Sequence, residues 1–421
     1  MPTPFVSGAE TIRTYSQANE TPNVGTGART DGRAKLAKGV SEASFSPKPV
    51  AVLHLFKAMD RGGAELRTIQ LTAELDLSTV RTLFGTLSGR EGALAPEIRA
   101  NGGEVIPLRL GLAWPVRFAR ALRLNKVDVV HSHVATFSGF PLAVAALCGV
   151  DRRIAHFRSE GDLHGTELRY RLQRAVMRRM VTRFATDVVG VSPEALNFGI
   201  GEGTQLKART SVIPSGLDTR TWESFIGRAQ IDTMSALPRA QGHSAIVHIG
   251  RSAPEKNRAR AVSIVAALAT AGEMATLFFV GRITESECNE LSALATDHGI
   301  ADRVVFLGER DDVPRLLFAA DLTLLTSTRE GLPGVVLESC AAGTPTVASA
   351  LPGVRWLAET FPLVRPVDLE QRDSEWADAI RRSLDLPRDS DTRLDALRTF
   401  EASEFHLSRA LDSFTTLWTG R

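Results

Sequence analysis

Two glutamates, Glu330 and Glu338, flank the run Gly331-Leu332-Pro333-Gly334-Val335-Val336-Leu337. Pro333 suits the first helical position, where its missing N–H would have had no partner. Gly343, followed closely by Pro345, suits the stop. The pattern predicts a helix that opens at Pro333, with Glu330 in the loop before it and Glu338 inside it. The free N–H groups at Gly334 and Val335 then make an anion site, strengthened by the helix dipole. An ionised carboxylate only accepts hydrogen bonds, so neither glutamate should face that anion directly. Both can accept from hydroxyls on either side of it. A sugar on one side of a diphosphate and a ribose on the other would fit, which is a nucleotide-sugar.

A second stretch, Gly250-Arg251-Ser252-Ala253-Pro254-Glu255-Lys256-Asn257, follows the apolar run Ala245 to Ile249. It puts two cations, Arg251 and Lys256, at the end of an expected strand. Arginine supplies a planar fork for phosphate oxygens and lysine a point charge. In isolation a solvated basic loop reads equally well. Beside the Glu330–Glu338 segment, whose strand ends at the same sheet edge, diphosphate binding is favoured.

His131 and His133 stand two apart at the end of another expected strand and so point to the same side. For His131 a satisfied structural histidine is the simpler reading. The His-x-His pair also suggests zinc, but no third ligand has a recognisable spacing. No Asp-x-Asp motif stands out at a strand end, and Asp311-Asp312 reads as a helix start. No metal and no cofactor are expected.

These residues need a scaffold. With 421 residues the chain can build two domains with full cores. A hydrophobic content of 43% and a charged content of 23% are those of an ordinary globular protein. The net charge of +2 carries no argument about nucleic acid, and no such partner is expected. No internal stretch approaches a membrane span, and the start lacks the pattern of a secretory signal. Cys148, Cys288 and Cys340 are far apart and match no metal spacing, which suits a reduced cytoplasmic protein.

Residues 1–48 are rich in Ser, Thr, Gly, Ala and Asn and read as a disordered tail. From Pro49 onward strands and helices alternate. Expected strands run over 50–56, 79–87, 104–108, 127–133, 154–157 and 187–191, then over 245–249, 276–280, 304–307, 322–325 and 346–348. Alternation of this kind implies parallel sheets covered on both faces. The fold class is therefore α/β: two doubly wound, Rossmann-like domains facing a cleft, over 49–217 and 218–400. A final helix within 401–421 could pack on either domain, the first included. No Gly-x-Gly-x-x-Gly fingerprint follows the first strand; Gly62-Gly63 is the only glycine pair near it.

Several stretches resemble glycosyltransferase family 4, a group of retaining enzymes with the GT-B fold. They are Arg61-Gly62-Gly63-Ala64-Glu65, Val130 to His133, Val191 to Glu194, Val212 to Gly216, Gly250-Arg251 with Glu255 to Asn257, Val304 to Gly308, and Glu330 to Pro333 with Leu337-Glu338. They occur in family order over about residues 50 to 360. The opening and the His-Ser-His segment look most like the bacterial exopolysaccharide and capsule branch. The resemblance implies transfer with retention from a nucleoside-diphosphate sugar to a glycan or lipid-linked glycan. By the same resemblance Glu330 would hold donor-sugar hydroxyls and Glu338 the ribose. Arg251 and Lys256 would neutralise the leaving diphosphate, cradled by the amides at Gly334 and Val335. His133 would stand against the transferred sugar, and the Gly62-Gly63 loop would approach the phosphate from the other domain. Glu330, His133, Arg251 and Lys256 are thus the candidate catalytic residues, and Gly62, Gly63, Gly331, Gly334, Val335 and Glu338 complete the donor site.

The chain departs from the family at Ser215, at Arg158-Ser159-Glu160 and at Arg282. The first two bear on the acceptor, the third on the nucleotide. Residues 163–183 carry six arginines among Leu, Val and Met. A basic amphipathic helix there would suit an anionic membrane surface, on the inner face of the plasma membrane; a domain-surface helix with a buried apolar face is the alternative. The other functional readings are a non-catalytic subunit of the same fold and a sugar-nucleotide epimerase or hydrolase.

Overall fold

The computed structural model describes residues 48–159, 168–201, 207–226 and 236–420. Apart from Lys48, the tail expected over 1–48 lies outside them, as does Glu160.

Two parallel sheets organise the described residues. The first contains β1 (Val50–Phe56), β2 (Val80–Thr86), β3 (Glu104–Pro107), β4 (Val129–Ser132), β5 (Arg152–Phe157), β6 (Asp187–Gly190) and β7 (Arg209–Val212). Its spatial order is β3-β2-β1-β4-β5-β6-β7. The second contains β8 (Ser244–Ile249), β9 (Ala275–Val280), β10 (Val304–Gly308), β11 (Leu322–Leu325), β12 (Thr346–Ser349) and β13 (Val364–Val367), in the order β10-β9-β8-β11-β12-β13. Both are doubly wound, and the direction of winding reverses between β1 and β4 and between β8 and β11. Ligands of such sheets bind beyond the carboxyl ends of the strands at these reversals.

The central strands are apolar along their length because both faces are covered. In β1, Leu53 and Leu55 pack with Trp114, Phe118 and Phe157 on one face. Val52 packs on the other with Phe414 and Trp418 from the helix Leu407–Thr419. That helix therefore lies on the first sheet. The second sheet is buried between Val247, Phe278 and Leu337 on one face and Ile246, Phe279 and Trp376 on the other.

Each reversal is pinned in the same way. Asp128, just before β4, accepts from the Ala51 N–H at 2.8 Å and returns its own N–H to the Ala51 carbonyl at 2.9 Å. Asp321, just before β11, does the same with Ala245 at 2.7 and 2.9 Å. A charge-assisted bond of this kind fixes the register of the two strands that frame each ligand edge.

Candidate functional site

The loop after β1 runs to Gly62, which is extended (φ −147°, ψ 158°) and caps the helix Gly63–Ala73. A β-carbon on Gly63 would meet nothing within 4 Å, so no packing in this structure demands glycine there. Glu65, in the first turn, has its carboxyl pushed up by burial, while Arg158 and Arg251 act in the opposite sense. Arg251 thus reaches across electrostatically from the second sheet to the first.

After β8, Gly250 leads through a short turn, Pro254–Lys256, to Asn257, which adopts a left-handed conformation (φ 47°) before the helix Arg258–Thr270. After β11, Thr326 donates to the carbonyls of Lys256 and Asn257 at 3.1 and 2.9 Å, and the Thr328 N–H donates to the Glu255 carbonyl at 2.8 Å. These bonds tie the two loops together at the second reversal. The Lys256 ammonium donates to Glu330 at 2.6 Å, and the Ser327 hydroxyl donates to the same carboxylate oxygen at 2.8 Å. Arg251 is exposed and lies 3.3 Å from Glu255.

The helix expected to open at Pro333 spans Gly334–Ala342, with Pro333 as its cap at ψ 111°. The one-residue correction has a physical cause: the Pro333 carbonyl accepts from the Val336 and Leu337 N–H groups at 3.1 and 3.2 Å. Gly334 and Val335 keep their place in the first turn, and Gly343 ends the helix in the left-handed region at φ 64°. A β-carbon on Gly334 would also meet nothing within 4 Å. Gly331 differs, since its β-carbon would lie 2.5 Å from the Arg158 carbonyl oxygen. Glu338 accepts from Arg67 of the first half. Burial pushes its carboxyl up, and Arg67 opposes this. Arg61 of the glycine loop pairs with Asp311 at 2.8 Å. Leu332 packs against the cores on both sides. The carboxyl ends of the two sheets therefore meet, and all ten candidate residues lie on the loops and helix starts at that junction or, for Glu338, one turn further in.

His133 follows β4 and is half-buried, whereas His131 is buried. They share one face with His54 of β1, the register partner of His131, and with His156 of β5, two residues beyond the register partner Ile154. His54, His131 and His133 bring one ring nitrogen each within 4.8 Å of one another. The His-x-His pair has no third ligand at a recognisable spacing in sequence, yet a third imidazole stands beside it. The pairing of β1 with β4 supplies it, which sequence spacing cannot display. The rings already form two pairs: His54 Nδ1 and His133 Nε2 are 3.1 Å apart, as are His131 Nε2 and His156 Nδ1. A divalent cation would have to break these pairs beside the Arg158 guanidinium. Burial holds all four far below the ordinary imidazole range, His54 at about 3. The layer is uncharged.

Three residues escaped the sequence reading. Arg67 gave no signal beyond being a charge on a helix. His54 was visible only as part of a buried strand. Arg158 stood out as a departure, but not as a partner of His133, to which its Nε donates at 3.3 Å.

Residues 50–216 match the family model for a glycosyl transferase 4-like domain, and residues 231–393 match that for glycosyl transferases group 1. The Bacillus subtilis protein EpsF, named as a glycosyltransferase, is 28% identical over 79% of this chain and 87% of its own length. CapH of Staphylococcus aureus, named as a capsular polysaccharide biosynthesis glycosyltransferase, is 24% identical over 86% of this chain and 100% of its own. HepE of Anabaena, crystallised with UDP-glucose, superposes with a TM-score of 0.70 at 21% identity, over 88% of this chain and 100% of HepE.

Proposed function

The chain belongs to the group 1 glycosyltransferases of family 4, with the GT-B fold, and on that premise we propose that it moves a sugar, with retention, from a nucleoside-diphosphate sugar to a glycan or lipid-linked glycan in cell-surface polysaccharide synthesis. The observation that carries this reading is the pairing of Lys256 with Glu330 beside the open start of the helix Gly334–Ala342. A diphosphate at that start would draw Lys256 and Arg251 toward its oxygens and leave Glu330 to the sugar hydroxyls. Glu338, on leaving Arg67, would take the ribose. The acceptor oxygen forms a bond to the anomeric carbon as the bond to the β-phosphate breaks, and the departing phosphate oxygen takes the acceptor proton. His133 stands at the opposite sheet edge against the transferred sugar. These residues perform the step without a metal. The relatives EpsF and CapH support the polysaccharide setting, and HepE supports UDP as the nucleotide.

The test is incubation of the purified protein with a panel of nucleotide-sugars. Release of nucleoside diphosphate only when a glycan or lipid-linked acceptor is added supports transfer. Equal release without acceptor would mean hydrolysis.

The acceptor setting extends to an anionic membrane surface. Among the described residues no helix is long and apolar enough to cross a membrane. The arginine-rich segment is described from Leu168 as the helix Leu168–Phe184, and its apolar residues divide between two faces: Val181 and Phe184 pack into the first core, and a second row faces outward. Leu168, Leu172 and Val176 are 79%, 65% and 48% exposed, and Val181 is the buried residue. Exposed Arg171, Arg179 and Arg183 accompany that apolar row. Leucines for the acyl boundary and arginines for lipid phosphates make a peripheral anchor. Flotation with anionic vesicles tests it: Leu168→Asp with Leu172→Asp abolishes binding that the parent protein shows at low salt. Equal flotation of both proteins would refute the anchor.

A further inference from the structure

A guanidinium and an indole N–H can only donate hydrogen bonds. Each begins a string in the imidazole layer. Trp418 donates from Nε1 to His131 Nδ1 at 3.2 Å. His131 must therefore carry its proton on Nε2, which faces His156 Nδ1. The His156 proton is left on Nε2, which has no partner. Arg158 begins the second string. Its Nε faces His133 Nδ1 at 3.3 Å, and its Nη2 donates to the Thr68 hydroxyl at 2.9 Å. His133 Nδ1 must accept, so the proton of the neutral ring sits on Nε2 and faces His54 Nδ1 at 3.1 Å. The His54 proton is left on Nε2, again without a partner.

We propose that Arg158 is a positioning residue that fixes the proton of His133 on Nε2, so that His133 meets the donor sugar as a neutral hydrogen-bond donor. The catalytic consequence rests on the reading of His133 as a sugar contact; the tautomer does not. The alternative tautomer would set an N–H of His133 against the N–H of Arg158. The doubly protonated ring would do the same and add a second charge beside the first. Burial, followed by His131 and Arg158, keeps that cationic form far below the usual imidazole range. Arg158 is itself held in place. Thr68 grips its head from the helix behind the glycine pair, and its backbone carbonyl abuts Gly331. The neutral ring keeps its proton on Nε2, the nitrogen that faces His54 in this structure. Such a ring cannot act as a base at Nε2, and its task is to orient and to stabilise charge at a sugar oxygen.

The experiment uses the full chain with its histidine rings labelled with nitrogen-15. Long-range proton–nitrogen correlation reports which ring nitrogen carries the proton, and His133→Gln identifies the His133 signals. The expected wild-type result near neutral pH is a neutral His133 with its proton on Nε2. Arg158→Met removes the donor at similar length; His133 then populates the Nδ1–H form. In the same variant kcat falls by roughly tenfold or more while the donor KM changes much less. The acid limb of its pH profile moves to higher pH. Arg158→Lys, which returns a charged, donor-only group, recovers part of the Nε2–H signal. A wild-type proton on Nδ1 overturns the proposal even where Arg158→Met does not fold. So does an unchanged tautomer in Arg158→Met. Neither result bears on whether the protein transfers sugars. A tautomer that shifts with kcat unaltered removes the catalytic consequence.

Discussion

Lys256 and Glu330 neutralise each other across 2.6 Å, at the point where β8 and β11 part. The pair is held by the same hydrogen bonds that join their loops, so it is a resting arrangement of the two groups assigned to the donor. Lys256→Ala removes a cation from the proposed diphosphate site, and Glu330→Gln replaces a charged acceptor for sugar hydroxyls with a weaker, neutral amide. Each lowers kcat by about a hundredfold or more, the scale of losing one charge-stabilising contact. Because the two act as a unit, the double variant loses far less than the product of the single losses. Steady-state rates and circular dichroism on the three variants check this. Near-normal turnover in both single variants, with the fold intact, would refute the assignment.

Gly63 and Gly331 carry opposite expectations. A β-carbon at Gly63 enters open space, so Gly63→Ala leaves stability unchanged or raises it by up to about 1 kcal/mol while weakening donor binding. Gly331→Ala drives a β-carbon into the Arg158 backbone and costs about 1–3 kcal/mol of stability. Thermal melts and nucleotide titration separate the two. A Gly63→Ala protein that binds donor normally removes that glycine from the site.

With Glu338 as the proposed ribose contact, Arg67 is expected to set the pH range of donor binding. Only the ionised Glu338 accepts well from ribose hydroxyls, so affinity is greatest above its pKa and falls as pH drops through it. Burial raises that pKa, and Arg67 is what restrains the rise. In Arg67→Ala the loss of affinity begins at higher pH than in the parent. Calorimetric titration of nucleoside diphosphate between about pH 5 and pH 8 reads the shift. Superimposable profiles would exclude Glu338 from the ribose contact.

The imidazole layer makes the fold acid-sensitive. Burial holds His54 and His248 at about 3 in the folded state, and His131, His133 and His156 are also held well below the ordinary range near 6.5. The unfolded chain therefore binds more protons than the folded one below pH 6.5. Stability is fully present above that value and is lost as pH falls toward about 3, at up to about 1.4 kcal/mol per pH unit for each such group. Melting temperatures measured from pH 7 downward fall accordingly, and His131→Phe flattens the slope. A melting temperature independent of pH across that window would contradict the uncharged layer.

Much of the scaffold was legible because its central strands are continuous apolar runs bounded by turn residues, as in Val50–Phe56 and Ala275–Val280. Two edge strands were not. β7 reads Arg-Thr-Ser-Val and is largely exposed, and β13 contains Arg365 and Pro366, which only an edge tolerates. The last helix, Leu407–Thr419, lies within the expected 401–421, and a separate helix, Ser390–Ala402, precedes it. The residues proposed for the donor could be picked out because each lies in a short contiguous motif. His54, Arg67 and Arg158 have no such neighbours. Their partners are 79, 271 and 25 positions away, and the pairings exist only once the strands are ordered and the halves meet.

The helix Leu407–Thr419 covers strands that are translated long before it. At about 5–20 residues per second, a nascent chain carries β1 to β7 out of the ribosome tens of seconds before that cover exists. During the interval Val52, Val129 and Ile154 face water or whatever holdase reaches them first. The cover of the first sheet is thus completed only after the second half has been synthesised, by a helix that follows all of its strands.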